Sequence, residues 1–340
     1  MTIALVTGAT GHIGANLVRE LLDRGYTVRA LVRLSSSLAG LQGLEVRLCH
    51  GDILEPHTLD DAMDGVDVVF HCAAVYVNWA PDEAEILRPA IEGTENVLRA
   101  AARSRIKRVV MTSSCNAVGF GTDPERPLDE ASWNTALHLP YVRAKVGQER
   151  RARELAEALD LDLVTVLPTG VLGPHDHRMT PTTAYFRDVL AGKAPLLPGV
   201  SNLIHVRDVA VGHALAAERG AAGGRYLLGG ENLAAAALQE RIEAVTGERP
   251  SILSAPRWLL MAAAGIAELI AGLRGVEPAI SRAMVRTAHG RHSCFDTRLA
   301  GSELGFRPRP AEEVLEDTHA WLVSIGQLTA VYNADYAAAV

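Results

Sequence analysis

The chain has only four cysteines, Cys49, Cys72, Cys115 and Cys294, and they form neither a C-x-x-C pair nor any His/Cys spacing suited to zinc. Metal ligation and redox-motif chemistry are therefore without support, and no metal is expected. Positive charge is also in deficit: 33 Lys+Arg stand against 40 Asp+Glu, a formal net charge of −7. A chain of that sign has no electrostatic reason to coat nucleic acid, so no nucleic-acid partner is expected. Long hydrophobic runs are missing too. Only Trp258 to Leu273 is apolar enough to raise a membrane question. It falls short of the ~20 residues a spanning helix needs and contains Glu268, so no stable span is expected. The N-terminus, M-T-I-A-L-V-T-G, lacks a basic region and meets glycine early, which makes a cytoplasmic location the default expectation. No internal repeat, low-complexity tract or flexible linker is present.

What is present is a globular composition, 48% hydrophobic and 21% charged over 340 residues. At roughly 100–200 residues per domain that length suggests two lobes. Through the first 170 residues, short aliphatic runs alternate with longer stretches of helical periodicity. Ile3–Val6, Val28–Val32, Val46–Cys49, Val66–His71, Arg108–Ser113 and Leu163–Pro168 read as strands buried on both faces. Ile13–Asp23, Thr58–Met63, Ile91–Ser104 and Tyr141–Leu159 read as the helices between them. That order builds an α/β fold, a doubly wound parallel sheet of the Rossmann type. Beyond Pro168, Gly/Pro-punctuated segments separate short helices around Pro181–Ala191, Val206–Arg219 and Leu233–Thr246. The division expected is a dinucleotide-binding domain over 1–170 and a smaller C-terminal substrate lobe over 171–326, segments of which can return to the first domain. A weakly ordered tail over 327–340 is expected to follow.

Directly after the first strand comes T-G-A-T-G-H-I-G, which sets Gly8, Gly11 and Gly14 at a strand-to-helix turn. Absent side chains let the backbone approach a pyrophosphate, and the N–H groups and dipole of the following helix stabilise its charge. Gly8, Thr10, Gly11, His12, Ile13 and Gly14 are thus candidate cofactor-binding residues. An acidic residue closing the second strand would hold the ribose hydroxyl of NAD, and none is there. The strand ends A-L-V-R-L-S-S-S, so Arg33 and the serines around Ser36 stand where a 2′-phosphate would lie. This favours NADP, with NAD possible. Asp52 and Ile53 follow the third strand at the adenine edge, although Asp52 could equally cap the next helix. Ala73 and Ala74 follow the fourth, small where the chain must pass near the cofactor.

Two further features lie at strand ends beside the nicotinamide position. Thr112-Ser113-Ser114 closes the fifth strand, and Y-V-R-A-K places Tyr141 and Lys145 one helical turn apart. An ammonium one turn from a phenol should lower a pKa that is otherwise ~10, making the phenol a usable acid or base. A serine hydroxyl facing it can hold a substrate oxygen.

With these residues in view the chain resembles the extended short-chain dehydrogenase/reductase family over almost its whole length. Its nearest likeness is the dihydroflavonol 4-reductase-like branch, which is similar to 3β-hydroxysteroid dehydrogenases. The resemblance is carried by T-G-A-T-G-H-I-G, V-R-A-L-V-R, G-D-I, H-C-A-A, E-G-T-E-N-V-L, T-S-S, Y-V-R-A-K, L-P-T-G-V-L-G-P, H-V-R-D-V-A and L-L-G-G-E-N-L. It implies a Ser–Tyr–Lys triad of Ser114, Tyr141 and Lys145, with Tyr141 as proton donor and Lys145 also on the nicotinamide ribose. It implies that Pro168 to Val171, Gly170 included, line the nicotinamide, and that a homodimer through Ile91–Ser104 and Tyr141–Leu159 is plausible. The chain departs from the family at Ala90, where members commonly carry an asparagine that supports a proton relay through the lysine. Tyr76, Trp79, Tyr185 and Phe186 are expected to give the substrate pocket an aromatic lining, with the Trp258–Leu273 run over the cleft.

The leading expectation is an NADPH-dependent reductase that interconverts a ketone or aldehyde and an alcohol on a small, largely apolar substrate. A nucleotide-sugar epimerase or dehydratase is the alternative and would need cations for a diphosphate, for which Arg178, Arg187, Arg207 and Arg219 are available. A non-enzymatic cofactor-sensing protein is the third.

Overall fold

Strands that are covered by helices on both faces must be apolar throughout, and the central runs of this chain meet that condition. The computed structural model describes residues 2–77 and 79–329. Of the tail expected over 327–340, residues 330–340 lie outside the described residues. In chain order the elements are β1 (Ile3–Thr7), α1 (His12–Asp23), β2 (Thr27–Val32), β3 (Arg47–His50), α2 (His57–Met63), β4 (Val68–His71), α3 (Ala84–Arg103), β5 (Arg108–Thr112), α4 (Cys115–Val118), α5 (Pro140–Ala158) and β6 (Leu163–Pro168). There follow β7 (Gly170–Leu172), α6 (Pro181–Leu190), β8 (Val200–His205), α7 (Val206–Arg219), β9 (Arg225–Leu228), β10 (Asn232–Ala234), α8 (Ala235–Thr246), α9 (Arg257–Arg274), α10 (Arg282–Ala288) and α11 (Ala311–Ser324).

Among the described residues a seven-stranded sheet runs in the order β3-β2-β1-β4-β5-β6-β9, every pairing parallel. Leu17, Val18 and Leu21 of α1 and Val209 and Ala210 of α7 cover one face. Leu59 of α2, Val97 and Leu98 of α3 and Leu155 of α5 cover the other. This is the doubly wound Rossmann-type arrangement expected. A second sheet, β10-β8-β7, joins α6, α8 and α11 around Phe186, Leu203, Leu238 and Leu315 as a separate, smaller core.

Three elements differ from the sequence reading, each for a physical reason. β3 is an edge strand, and its residues are half-buried or exposed instead of covered on both faces. Helix α3 begins at Ala84, well before Ile91, and runs through Pro89, which forgoes one helical hydrogen bond near the first turns. β9 opens on a charged residue, Arg225, that is nevertheless buried, because Glu149 of α5 pairs with it. The helix expected over Val206–Arg219 forms as α7, but its apolar face belongs to the main sheet.

Candidate active site

The C-terminal ends of β1, β2, β4, β5 and β6 converge on one cavity of about 840 Å³, within the usual size of a ligand site. Gly8, Gly11, His12, Ile13 and Gly14 line it from the first turn, Arg33 from the end of β2, Ala74 from the end of β4, and Thr112 and Ser114 from the end of β5. Tyr141 and Lys145 enter from α5, and Pro168, Gly170 and Val171 from the β6–β7 connection.

The glycine turn is built as a cradle. Gly8 holds φ +69°, and a Cβ there would stand 2.6 Å from Ala73 N; a Cβ on Gly14 would stand 2.2 Å from Gly8 O. Gly11 is the N-cap of α1 and brings no capping side chain, so the helix presents its first N–H groups to the cavity. Buried polar atoms on the lining also want partners: among the described residues His12 Nε2 and Thr169 Oγ1 have none. Burial pushes the His12 pKa down, opposed mainly by Asp176, whose carboxylate lies 3.8 Å away. These features fit the pyrophosphate and ribose of a dinucleotide.

Beyond the glycine turn, some of the candidate cofactor residues face the cavity and others support it. Arg33 is half exposed, and its guanidinium lies 4.0 Å from the Asp52 carboxylate. Asp52 also accepts from Leu54 N at 2.9 Å and so opens a turn ahead of α2; it does not cap that helix, whose N-cap is Pro56. Ile53 is buried in the core against Gly93, Ser36 is half-buried and gives its N–H to Arg33 O, and neither lines the cavity. Ala73 lies behind the glycine turn, and Thr10 accepts a hydrogen bond at 2.8 Å from Arg178. Arg178 is the residue sequence reasoning left unplaced. It lies between β7 and α6, lines the cavity, and reaches the glycine turn 168 positions away.

Beyond the end of β5, Ser114 caps α4, its hydroxyl accepting from Asn116 N and Nδ2 at 3.1 Å each. Pro140 starts α5, which fixes Tyr141 in its first turn, with Lys145 one turn on. The Lys145 ammonium donates to Thr112 O at 3.1 Å and to Gln148 Oε1 at 3.0 Å. Burial lowers its pKa to about 8, against the pull of Cys72 and Glu149. Here one expectation is corrected. Lys145 does not bring the Tyr141 phenol down; burial holds it well above its ordinary value, Tyr76 adds to that, and the Ser114 hydroxyl only partly opposes it. The phenol is therefore neutral. Cys72 and Cys115 also line the cavity, but burial pushes their thiols up to about 11 and about 12, which removes them as nucleophiles.

Of the four aromatic residues expected around substrate, two reach the cavity. Tyr76 lies 4.7 Å from the Tyr141 ring and bonds Thr182 Oγ1 at 2.7 Å, and Phe186 lines the wall. Tyr185 instead spends its hydroxyl on Pro195 O and Leu197 N, and Trp79 does not line the cavity. Phe120 and Phe295, which no motif marked, do. The Trp258–Leu273 run forms α9, on the surface and not over the cleft.

Residues 4–229 match the NAD dependent epimerase/dehydratase family. The chain belongs to that family. A Synechocystis sp. protein with the provisional name dihydroflavonol 4-reductase is 35% identical over 94% of both chains. Tetraketide alpha-pyrone reductase 1 of Arabidopsis thaliana is 32% identical over 96% of this chain and 97% of its own. The crystal structure of gox2253, 33% identical, superposes with a TM-score of 0.84 over 97% of this chain and all of that one. The chain is an NAD(P)-dependent oxidoreductase of the extended short-chain dehydrogenase/reductase family, on its dihydroflavonol 4-reductase-like branch, and takes a nicotinamide cofactor.

Proposed function

We propose that this protein is an NADPH-dependent reductase of small, largely apolar ketones or aldehydes, with Ser114, Tyr141 and Lys145 as its catalytic residues. The observation that carries it is the neutral, buried Tyr141 phenol on the wall of the same cavity as the glycine turn, beside Ser114. When bound, the cofactor supplies hydride. Ser114 holds the carbonyl oxygen, Tyr141 gives it a proton as negative charge develops, and Lys145 steadies the phenolate left behind. Gly8 to Gly14 would hold the pyrophosphate together with Arg178, Arg33 the 2′-phosphate, and Pro168 to Val171 the nicotinamide.

Charge on the lining favours a reductase over a nucleotide-sugar enzyme. Of Arg178, Arg187, Arg207 and Arg219, Arg178 lines the cavity and is committed to Thr10 at the glycine turn. Arg187 pairs with Asp188, Arg207 with Asp317, and Arg219 bonds Leu304 O. Among these four no arginine pair is left for a second diphosphate, whereas Tyr76, Phe120, Phe186 and Phe295 offer apolar surface worth roughly 25 cal/mol per Å² covered. The reductase names of the two relatives above support the same reading. The test is a panel of aromatic and alicyclic ketones and aldehydes set against UDP- and GDP-sugars, with NADPH and NADH in parallel. Carbonyl reduction with NADPH preferred, and that preference lost in Arg33→Asp, is the expected result. Sugar epimerisation without net cofactor consumption would overturn it.

Gln148 supplies the support that Ala90 cannot. Wholly buried, it accepts from Lys145, donates to Thr94 Oγ1 at 2.9 Å, and through Thr94 meets His71 Nε2 at 2.9 Å and Thr7 beyond it. His71 is held neutral, its pKa lowered to about 3 by burial and by the Lys145 charge. The lysine ammonium persists below about pH 8 and is lost as pH rises through that value, so the reduction rate should fall on the alkaline side. Gln148→Leu removes an acceptor from the charged form and should move that midpoint down by about one pH unit. A uniform drop in kcat with the midpoint unmoved would make Gln148 merely structural.

A further inference from the structure

Helix α9 buries little beyond Ala264 and Ala271, small residues on the side where α10 packs. Its other side holds Trp258, Leu259, Ile266, Leu269, Ile270 and Leu273 in solvent, Trp258 72% and Leu273 82% exposed. Spacings of three and four place them along one face of the helix, and an apolar patch of that continuity marks a contact surface.

The charges around it say what kind of contact. Residues 257–291 carry Arg257, Arg274, Arg282, Arg286 and Arg291 against only Glu268 and Glu277, a surplus of three positive charges in a chain whose net charge is −7. Glu268 is already held by Arg282. Arg257 and Arg274 bracket the apolar stripe at its two ends, and no acidic residue lies among the exposed apolar ones. A second copy laid antiparallel on this face would set arginine against arginine at both ends. A lipid surface of anionic headgroups meets the same arginines with opposite charge and takes the apolar side chains below the headgroup level. No helix among the described residues is long and apolar enough to cross a membrane, which leaves lying in its surface.

We propose that α9 docks this protein in the plane of an anionic membrane surface, apolar face down, with the flanking arginines at the headgroups. Glu277, three residues past α9, and Ser293 and Phe295, past α10, line the cavity. Docking therefore holds one wall of the cavity near the lipid, where an apolar carbonyl substrate would partition. That consequence for substrate supply rests on the reductase reading; docking itself does not.

The experiment is flotation of the full chain with vesicles of phosphatidylcholine containing about 30% phosphatidylglycerol, and with vesicles of phosphatidylcholine alone. The floated fraction should be about tenfold larger on the anionic vesicles and should fall as salt is raised. Ile266→Asp/Leu269→Asp should abolish it and Arg257→Glu/Arg274→Glu should reduce it. Both variants should keep the wild-type circular dichroism, Tm and NADPH affinity, which separates lost docking from lost fold or lost activity. No flotation on either vesicle, or equal flotation on both, overturns the proposal. So does a concentration-dependent dimer in sedimentation that Ile266→Asp/Leu269→Asp dissociates.

Discussion

Tyr141→Phe should lower kcat for carbonyl reduction by about 100- to 10,000-fold while leaving the Kd for NADPH within about twofold of wild type. The substitution deletes one oxygen from a ring that is otherwise packed against Tyr76, so the wall of the cavity keeps its shape and loses only the proton donor. The size of the effect follows from the environment. Burial keeps the phenol protonated across the working pH range, and the other acids on this wall are engaged or held back: the Tyr76 hydroxyl bonds Thr182 Oγ1 at 2.7 Å, and burial pushes the Cys72 and Cys115 thiols up to about 11 and about 12. Ser114→Ala should cost less in kcat, because it removes an acceptor for Asn116 and a holder of substrate, not the proton itself. Steady-state kinetics with a soluble ketone, paired with a fluorescence titration of NADPH, separate the two quantities. Activity within about tenfold of wild type would move the proton transfer to another group.

Much of this site could be read before the fold was seen, because its parts are local. The glycine turn needs only the adjacency of β1 and α1, and Tyr141 and Lys145 share a helix face at a spacing of four. Central strands such as β4 and β6 announce themselves by continuous burial. What the sequence concealed depends on partners far along the chain. Arg225 looks like a loop residue until Glu149 neutralises it, so β9 escaped notice. Arg178 had no motif because its partner Thr10 is 168 residues away. Tyr185 and Phe186 look alike in sequence, yet successive helical positions diverge, one toward the 195–197 backbone and the other toward the cavity. The phenol pKa is hidden for a related reason: a spacing reveals the neighbouring ammonium, but not the burial that outweighs it or the carbonyl and amide that occupy that ammonium.

Glu149→Leu should destabilise the protein by about 3–5 kcal/mol, the largest expected loss of stability from a single change near the site. Glu149 is wholly buried and joins three elements: it accepts from Ser113 Oγ at the end of β5 at 2.6 Å, belongs to α5 one turn beyond Lys145, and pairs with Arg225 of β9. Removing it strands a nearly buried guanidinium, which retains only the carbonyls of Glu130 and Ser132 and the face of Trp133, 4.2 Å from the ring centroid. The cost lies mainly in that uncompensated charge, so Glu149→Leu/Arg225→Met should recover much of it even though two side chains have changed. Urea denaturation of the two single variants and the double variant measures the coupling directly. A single-variant loss below about 1 kcal/mol, or strict additivity in the double variant, would show that Arg225 finds water or another partner when Glu149 is gone. At temperatures where Glu149→Leu remains folded, Tyr141 and Ser114 keep their own supports in Pro140 and Asn116, so its kcat should fall far less than that of Tyr141→Phe.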